Sequence, residues 1–153
     1  EVLLLAYMRE VTSEFARVLT QRLEAEPDPL MRLRIYIRSH LQMIGRYHVK
    51  AGMGLRRQMS GQGASHLHDH AGVVGELLIG ILDEAMERGL IVEQNTLGAV
   101  HLIHATLQGQ RLPQDPAHRE SALLLVETFI LRGLGASEEN VCQVTASSLA
   151  SGE

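Results

Sequence analysis

The feature that most constrains this chain is the segment 117–134. It holds Ala122, Leu123, Leu124, Leu125, Val126, Phe129, Ile130 and Leu131. At about 3.6 residues per turn these side chains do not fit on one stripe; they cover most of a helix circumference. A helix that is apolar nearly all round has to be covered nearly all round. The expected solution sets one face on the chain's own core and the opposite face on a second copy, making a homodimer. A central place in a monomeric bundle is the competing arrangement. The companion helix is 95–112, joined through the turn 113–116. Candidate interface residues are His101, Leu124, Leu125, Thr128, Phe129 and Arg132.

Length and composition narrow the class. A chain of 153 residues is one domain and can bury a sizeable core. Hydrophobic residues at 45% place it among globular rather than disordered chains. Aromatics are only 3%, with no Trp, so the core is built from aliphatic residues and Met. A net charge of −4 gives no broad attraction for nucleic-acid phosphates. The single cysteine, Cys142, cannot form an internal disulfide, which fits a reducing, cytoplasmic compartment. No uncharged apolar run approaches the roughly 18 residues of a membrane span, and no signal peptide is visible. The sequence opens in a helical pattern at Glu1, with neither an initiator Met nor a cap, so a preceding segment is expected.

The rest reads as helix after helix. Residues 2–25 carry the stripe Leu4, Met8, Val11, Phe15 and Val18. Asp28-Pro29 caps and opens a second helix with core positions Leu30, Leu33, Ile37, Leu41 and Ile44. Residues 47–59 form a weak helix, because Gly52 and Gly54 each cost about 1 kcal/mol relative to Ala. A loop at 60–65 leads to a helix at 66–88, with Val73, Leu77, Leu78, Ile81, Leu82, Ala85 and Met86 inward and Gly89 as its stop. Asn95 and Asp115 cap the last two helices. Residues 137–153 form a polar tail with at most a short helix. The fold class is all-α, with about six helices in a domain spanning 1–136.

Catalytic and phosphate-binding motifs are missing: there is no GxSxG, P-loop, GxGxxG or HExxH, and no enzyme is expected. No cofactor is implied. His66, His68 and His70 alternate and cannot share one metal while helical, so they are expected to be exposed polar residues. His101 and His104 are three apart and would need a third ligand to hold a metal. The more informative pattern is Tyr36, His40, Met43 and Tyr47, a second, semi-polar stripe on the helix that opens at Pro29. Such a face suits the wall of a mostly apolar ligand site with a few orienting polar groups. Met8, Met53, Leu77 and His104 complete the candidate ligand set, with Met59 and Met86 as further soft surface. Ordinary core and boundary packing is the competing account of the same stripe. Glu76 is either a buried charge or a solvated one.

Four stretches together resemble the C-terminal regulatory domain of TetR-family transcriptional regulators. They are EVLLLAYM at 1–8, DPLMRLRIYIRSHLQMI at 28–44, ILDEAMERGLI at 81–91 and SALLLVETFILRGLGA at 121–136. The resemblance implies a homodimer built through an intersubunit four-helix bundle from the last two helices of each copy. It implies a small apolar or amphipathic effector that releases DNA through a helix-turn-helix lying before residue 1. That DNA reader is absent from this sequence, and the family supplies no universal ligand motif. Two alternatives share the fold: a metal or haem sensor using His40, His101 or His104, and a ligand-free helical dimerisation module.

Overall fold

A computed structural model describes the backbone of residues 2–50 and 61–149, with side chains throughout those spans except at 2, 4, 5, 8, 9, 46–50, 61–71 and 73. Among the described residues the protein is all-α. The helices are α1 (Val2–Glu24), α2 (Pro29–Lys50), α3 (Gly61–Glu87), α4 (Thr96–Gln108), α5 (Pro116–Gly133) and α6 (Glu138–Ala146). None of them is long and apolar enough to cross a membrane.

The helix starts follow from local chemistry. The Asp28 carboxylate accepts from the Leu30 N–H at 2.9 Å, ahead of Pro29. Asn95, Asp115 and Ser137 each accept from the backbone N–H three residues on, satisfying a donor that the helix itself leaves unpaired. The stops are equally explicit. Gly89 takes φ +66°, and the next N–H, of Leu90, reaches back to the Ala85 carbonyl at 2.9 Å. Gly135 takes φ +81°, with Ala136 bonding back to Leu131 at 3.1 Å. Both are left-handed caps that favour glycine, and a Cβ on Gly135 would also run into the Val92 side chain. That contact seats the 90–94 link on the end of α5, where the Val92 N–H donates to the Leu134 carbonyl at 3.1 Å.

Packing makes α2 the centre. It contacts α1, α3, α4 and α5, and the run Leu33, Arg34, Ile35, Tyr36, Ile37 is buried without a break. Of its expected core positions, Leu30, Leu33, Ile37 and Leu41 are buried and Ile44 is half-buried. Within the single chain the longest unbroken buried run is therefore in α2 rather than in the more apolar 117–134 segment. α5 packs on α2 and α6 and buries Leu123, Val126, Ile130 and Leu131, but leaves Leu125 71% and Phe129 64% exposed.

The inward row of α1 and several boundaries differ from the sequence reading, among them α4, which ends at Gln108 rather than at 112. α1 buries Leu19 and Leu23, while Val18 is exposed, because the inward row steps by four from Phe15 and drifts off the expected stripe. Residues 61–65, expected as loop, already belong to α3, and α2 continues through Lys50. Most of the weak helix expected at 47–59 lies outside the described residues. The segment read as a polar tail carries α6, whose Val141 and Val144 are buried in the core while its charged residues face out. Glu76 is exposed.

Candidate functional site

Two buried polar clusters are built on α2. The first follows from an i, i+4 pair, Tyr36 and His40, whose side chains stack one above the other on one face of the helix. α4 packs across α2 and brings in His104. The three rings lie near one another with centroids 5.9 Å (Tyr36–His40), 6.1 Å (Tyr36–His104) and 5.6 Å (His40–His104) apart, their planes within 27°. That is the offset-stacked range of aromatic pairs.

Burial fixes the charge states. Tyr36 is fully buried, and burial raises its phenol above the ordinary range, so it keeps its proton. The Tyr36 hydroxyl lies 2.6 Å from His104 Nε2, within hydrogen-bond distance. The pKa of His104 is lowered, first by burial and then by the neighbouring His101. Burial, and after it the proximity of His104, takes His40 down to about 4. Both imidazoles are uncharged at neutral pH. One atom stands out: His40 Nδ1 is out of reach of solvent and, among the described residues, has no hydrogen-bond partner.

The second cluster is ionic. The Glu127 carboxylate, from the middle of α5, is 0% exposed and sits between Arg34 and Arg38 of α2. Arg34 Nε donates to Glu127 Oε2 at 3.0 Å, and its Nη1 donates to the Val144 carbonyl and, at 2.9 Å, to that of Ser147. Arg38 Nε donates to Glu127 Oε1, and its terminal nitrogens grip Glu120 at 2.6 and 3.0 Å. That hydrogen bond to Arg38 is the main reason the Glu120 carboxyl titrates low. Arg34 thus ties α2 to α5 and closes the C-terminal end of α6, where free carbonyls attract a cation.

The expected site residues separate accordingly. Tyr36, His40 and His104 come together. Met43 is half-buried, and Leu77 packs against the core. The side chains of Met8 and Tyr47, and the whole of Met53, lie outside the described residues, as do the side chains of His66, His68 and His70. His101 faces solvent while its neighbour His104 is drawn into the aromatic cluster. Among the described residues no group of three or more His, Cys, Asp or Glu is placed to hold a metal ion. On the expected interface Leu125, Phe129, His101 and Arg132 are exposed, and Leu124 and Thr128 are half-buried. The Arg132 guanidinium is engaged within the chain by Glu138, at 2.7 and 2.8 Å.

Hydrophobic periodicity does not single out Arg34, Arg38 or Glu127. The signal that finds them is a lone carboxylate, the one charged residue between Ser121 and Leu131, opposite two arginines four apart on another helix with a strong apolar stripe.

No family model matches this chain, and neither a curated protein nor a solved structure does.

Proposed function

We propose that this chain is the effector-binding and dimerisation domain of a TetR-like transcriptional repressor. A small apolar or amphipathic effector binds beside Tyr36, His40 and His104. Its binding biases the domain between two states. DNA contact, in this reading, belongs to a helix-turn-helix outside this sequence, whose spacing across the dimer either matches or misses two half-sites.

The observation that carries the reading is the unpartnered apolar face of α5. Leu125 and Phe129 are i, i+4 neighbours on one face, and both point into solvent. α4 adds Leu97 and Leu102 to the exposed apolar surface. Large apolar side chains grouped in this way on a small domain favour a covered state. A second copy presents the same face, as a two-fold interface requires. The resemblance of the 121–136 stretch to the closing helix of TetR-type domains supports the same partner.

Analytical ultracentrifugation tests the dimer. The wild-type chain is expected to sediment as a dimer at micromolar concentration, and Leu125→Glu combined with Phe129→Glu is expected to give folded monomers. Both residues face solvent in the single chain, so the double variant retains its helical circular dichroism. A wild-type chain that is a compact monomer at micromolar concentration overturns the reading.

A further inference from the structure

α5 is apolar on nearly every side, so burial alone does not choose which side faces inward. Its inward row holds Leu123, Val126, Ile130 and Leu131. Turning the helix back by one residue, about 100°, would bring in Ala122, Leu125, Val126, Phe129 and Ile130 instead, a set just as apolar. What separates the two settings is Glu127, the one charged residue of α5 that is buried. In the observed setting its carboxylate lies between the guanidiniums of Arg34 and Arg38, 3.0 Å from Arg34 Nε. In the turned setting the carboxylate leaves both arginines, and the buried Arg34 keeps a charge without a partner. Apolar contact is non-directional and a carboxylate–guanidinium bond is directional, so the ionic joint fixes a rotation that the apolar surface leaves open.

The rotation decides what a second copy meets. Leu125 and Phe129 stand two positions either side of Glu127, on the opposite face of the helix, and both are exposed. No Asp, Glu, Lys or Arg occurs between Thr96 and Gln108 on α4, and none but the inward Glu127 between Ser121 and Leu131 on α5. Across a two-fold axis the same uncharged rows face each other, with no like charges set together. We infer that Glu127, held by Arg34 and Arg38, is a positioning residue for the contact between two copies: it sets the rotation of α5 about its own axis and so presents Leu125 and Phe129 to the partner. The inference rests on the dimer reading above and assigns that contact its internal control. The joint acts through orientation rather than net stability, the role of fixing register that is best attested for buried ionic groups.

The test removes every charge from the joint without stranding one. Arg34→Met, Arg38→Met and Glu127→Leu together keep its volume and make it apolar, an exchange that often holds or raises stability. The triple variant is expected to match or exceed the wild-type urea midpoint, yet to dimerise about tenfold more weakly by sedimentation equilibrium. Fluorine NMR reads the rotation itself. The chain has two phenylalanines, Phe15 on α1 and Phe129 on α5, so fluorophenylalanine gives one signal from each helix. Leu102→Glu, a change at an exposed position of α4, is added to both proteins to keep them monomeric, so the Phe129 line reports α5 alone. That line is expected to be single with the ionic joint and split or broadened without it, while the Phe15 line holds. Glu127→Gln keeps the shape, loses the charge and is expected to move both readouts the same way; it decides the matter if the triple variant does not fold. A folded variant that dimerises as tightly as wild type overturns the positioning role and leaves the dimer standing. Weaker dimerisation with one unmoved Phe129 line also overturns it, because the loss then comes from something other than rotation. A wild-type chain that sediments as a monomer overturns the dimer reading itself.

Discussion

α2 carries two buried polar clusters, and they are finished differently. Around Arg34 and Arg38 every charge is answered: both oxygens of Glu127 are held, Glu120 takes the outer arm of Arg38, and Arg34 Nη1 meets the Val144 and Ser147 carbonyls at the end of α6. Around Tyr36, one pair is closed and one atom of His40 is left open. A buried ionic network is tolerable only when complete, because each uncompensated charge carries a desolvation cost of several kcal/mol. A neutral imidazole is cheaper to leave incomplete, by roughly 1–3 kcal/mol. The ionic cluster therefore reads as architecture joining α2, α5 and α6, while the neutral one carries a cost that its own packing does not remove. Groups that lower stability without a structural return are where function is found.

Breaking the closed cluster has the largest expected effect. Glu127→Ala removes the carboxylate between two guanidiniums and leaves Arg34, 2% exposed, without its counter-charge. The expected loss is about 3–5 kcal/mol, read as a lower urea midpoint at unchanged slope. Since α5 and α6 are both fixed through Arg34, native-state hydrogen exchange is expected to rise first in those two helices. A loss below about 1 kcal/mol would show that the network is no more than a surface-like ion pair.

Tyr36→Phe is the intermediate case. It keeps the ring and the packing but removes the hydroxyl that meets His104 Nε2 at 2.6 Å. The expected loss is about 1–2 kcal/mol by urea unfolding, because a ring nitrogen that was paired becomes unpaired. The variant turns the half-closed cluster into a fully open one, so its cost measures what the single closed pair contributes.

The two clusters also differ in how far the sequence discloses them. Tyr36 and His40 are visible as a stripe at helical spacing, and His104 as a histidine on the inner side of a later helix. Periodicity locates all three but not their meeting, which depends on α4 crossing α2. The caps at Asp28, Asn95 and Asp115 and the stop at Gly89 are legible because each rests on one or two neighbouring residues. The Arg34–Glu127 pair joins residues 93 positions apart. Nothing local marks a carboxylate in an apolar run as the partner of an arginine in another helix. Within the single chain the 117–134 segment buries one face and leaves Leu125 and Phe129 exposed. Hydrophobicity reports what can be buried, and α2 is enclosed because its polar side chains found partners inside the fold.

The smallest effect, and the one that most sharpens the contrast, is a gain. His40→Leu replaces a buried polar side chain having one unpaired atom with an apolar one of similar reach. Stability at pH 7 is expected to hold or to rise by up to about 1 kcal/mol. The pH dependence gives the sign. His40 has an ordinary value of 6.5 and is held at about 4 in the folded chain, chiefly by burial. On acidification through that interval the unfolded chain takes up a proton that the folded chain refuses. More protons are then bound in the unfolded state, so stability falls as pH drops from 6.5 toward 4 and stops falling on this account below it. His104, lowered in the same direction, adds to the slope. In His40→Leu the part of that slope due to residue 40 is removed, so urea midpoints measured between pH 7 and pH 4 are expected to fall less steeply than in wild type. A variant with an unchanged slope would mean that His40 takes up its proton inside the fold as readily as in the unfolded chain, so that burial does not hold it neutral.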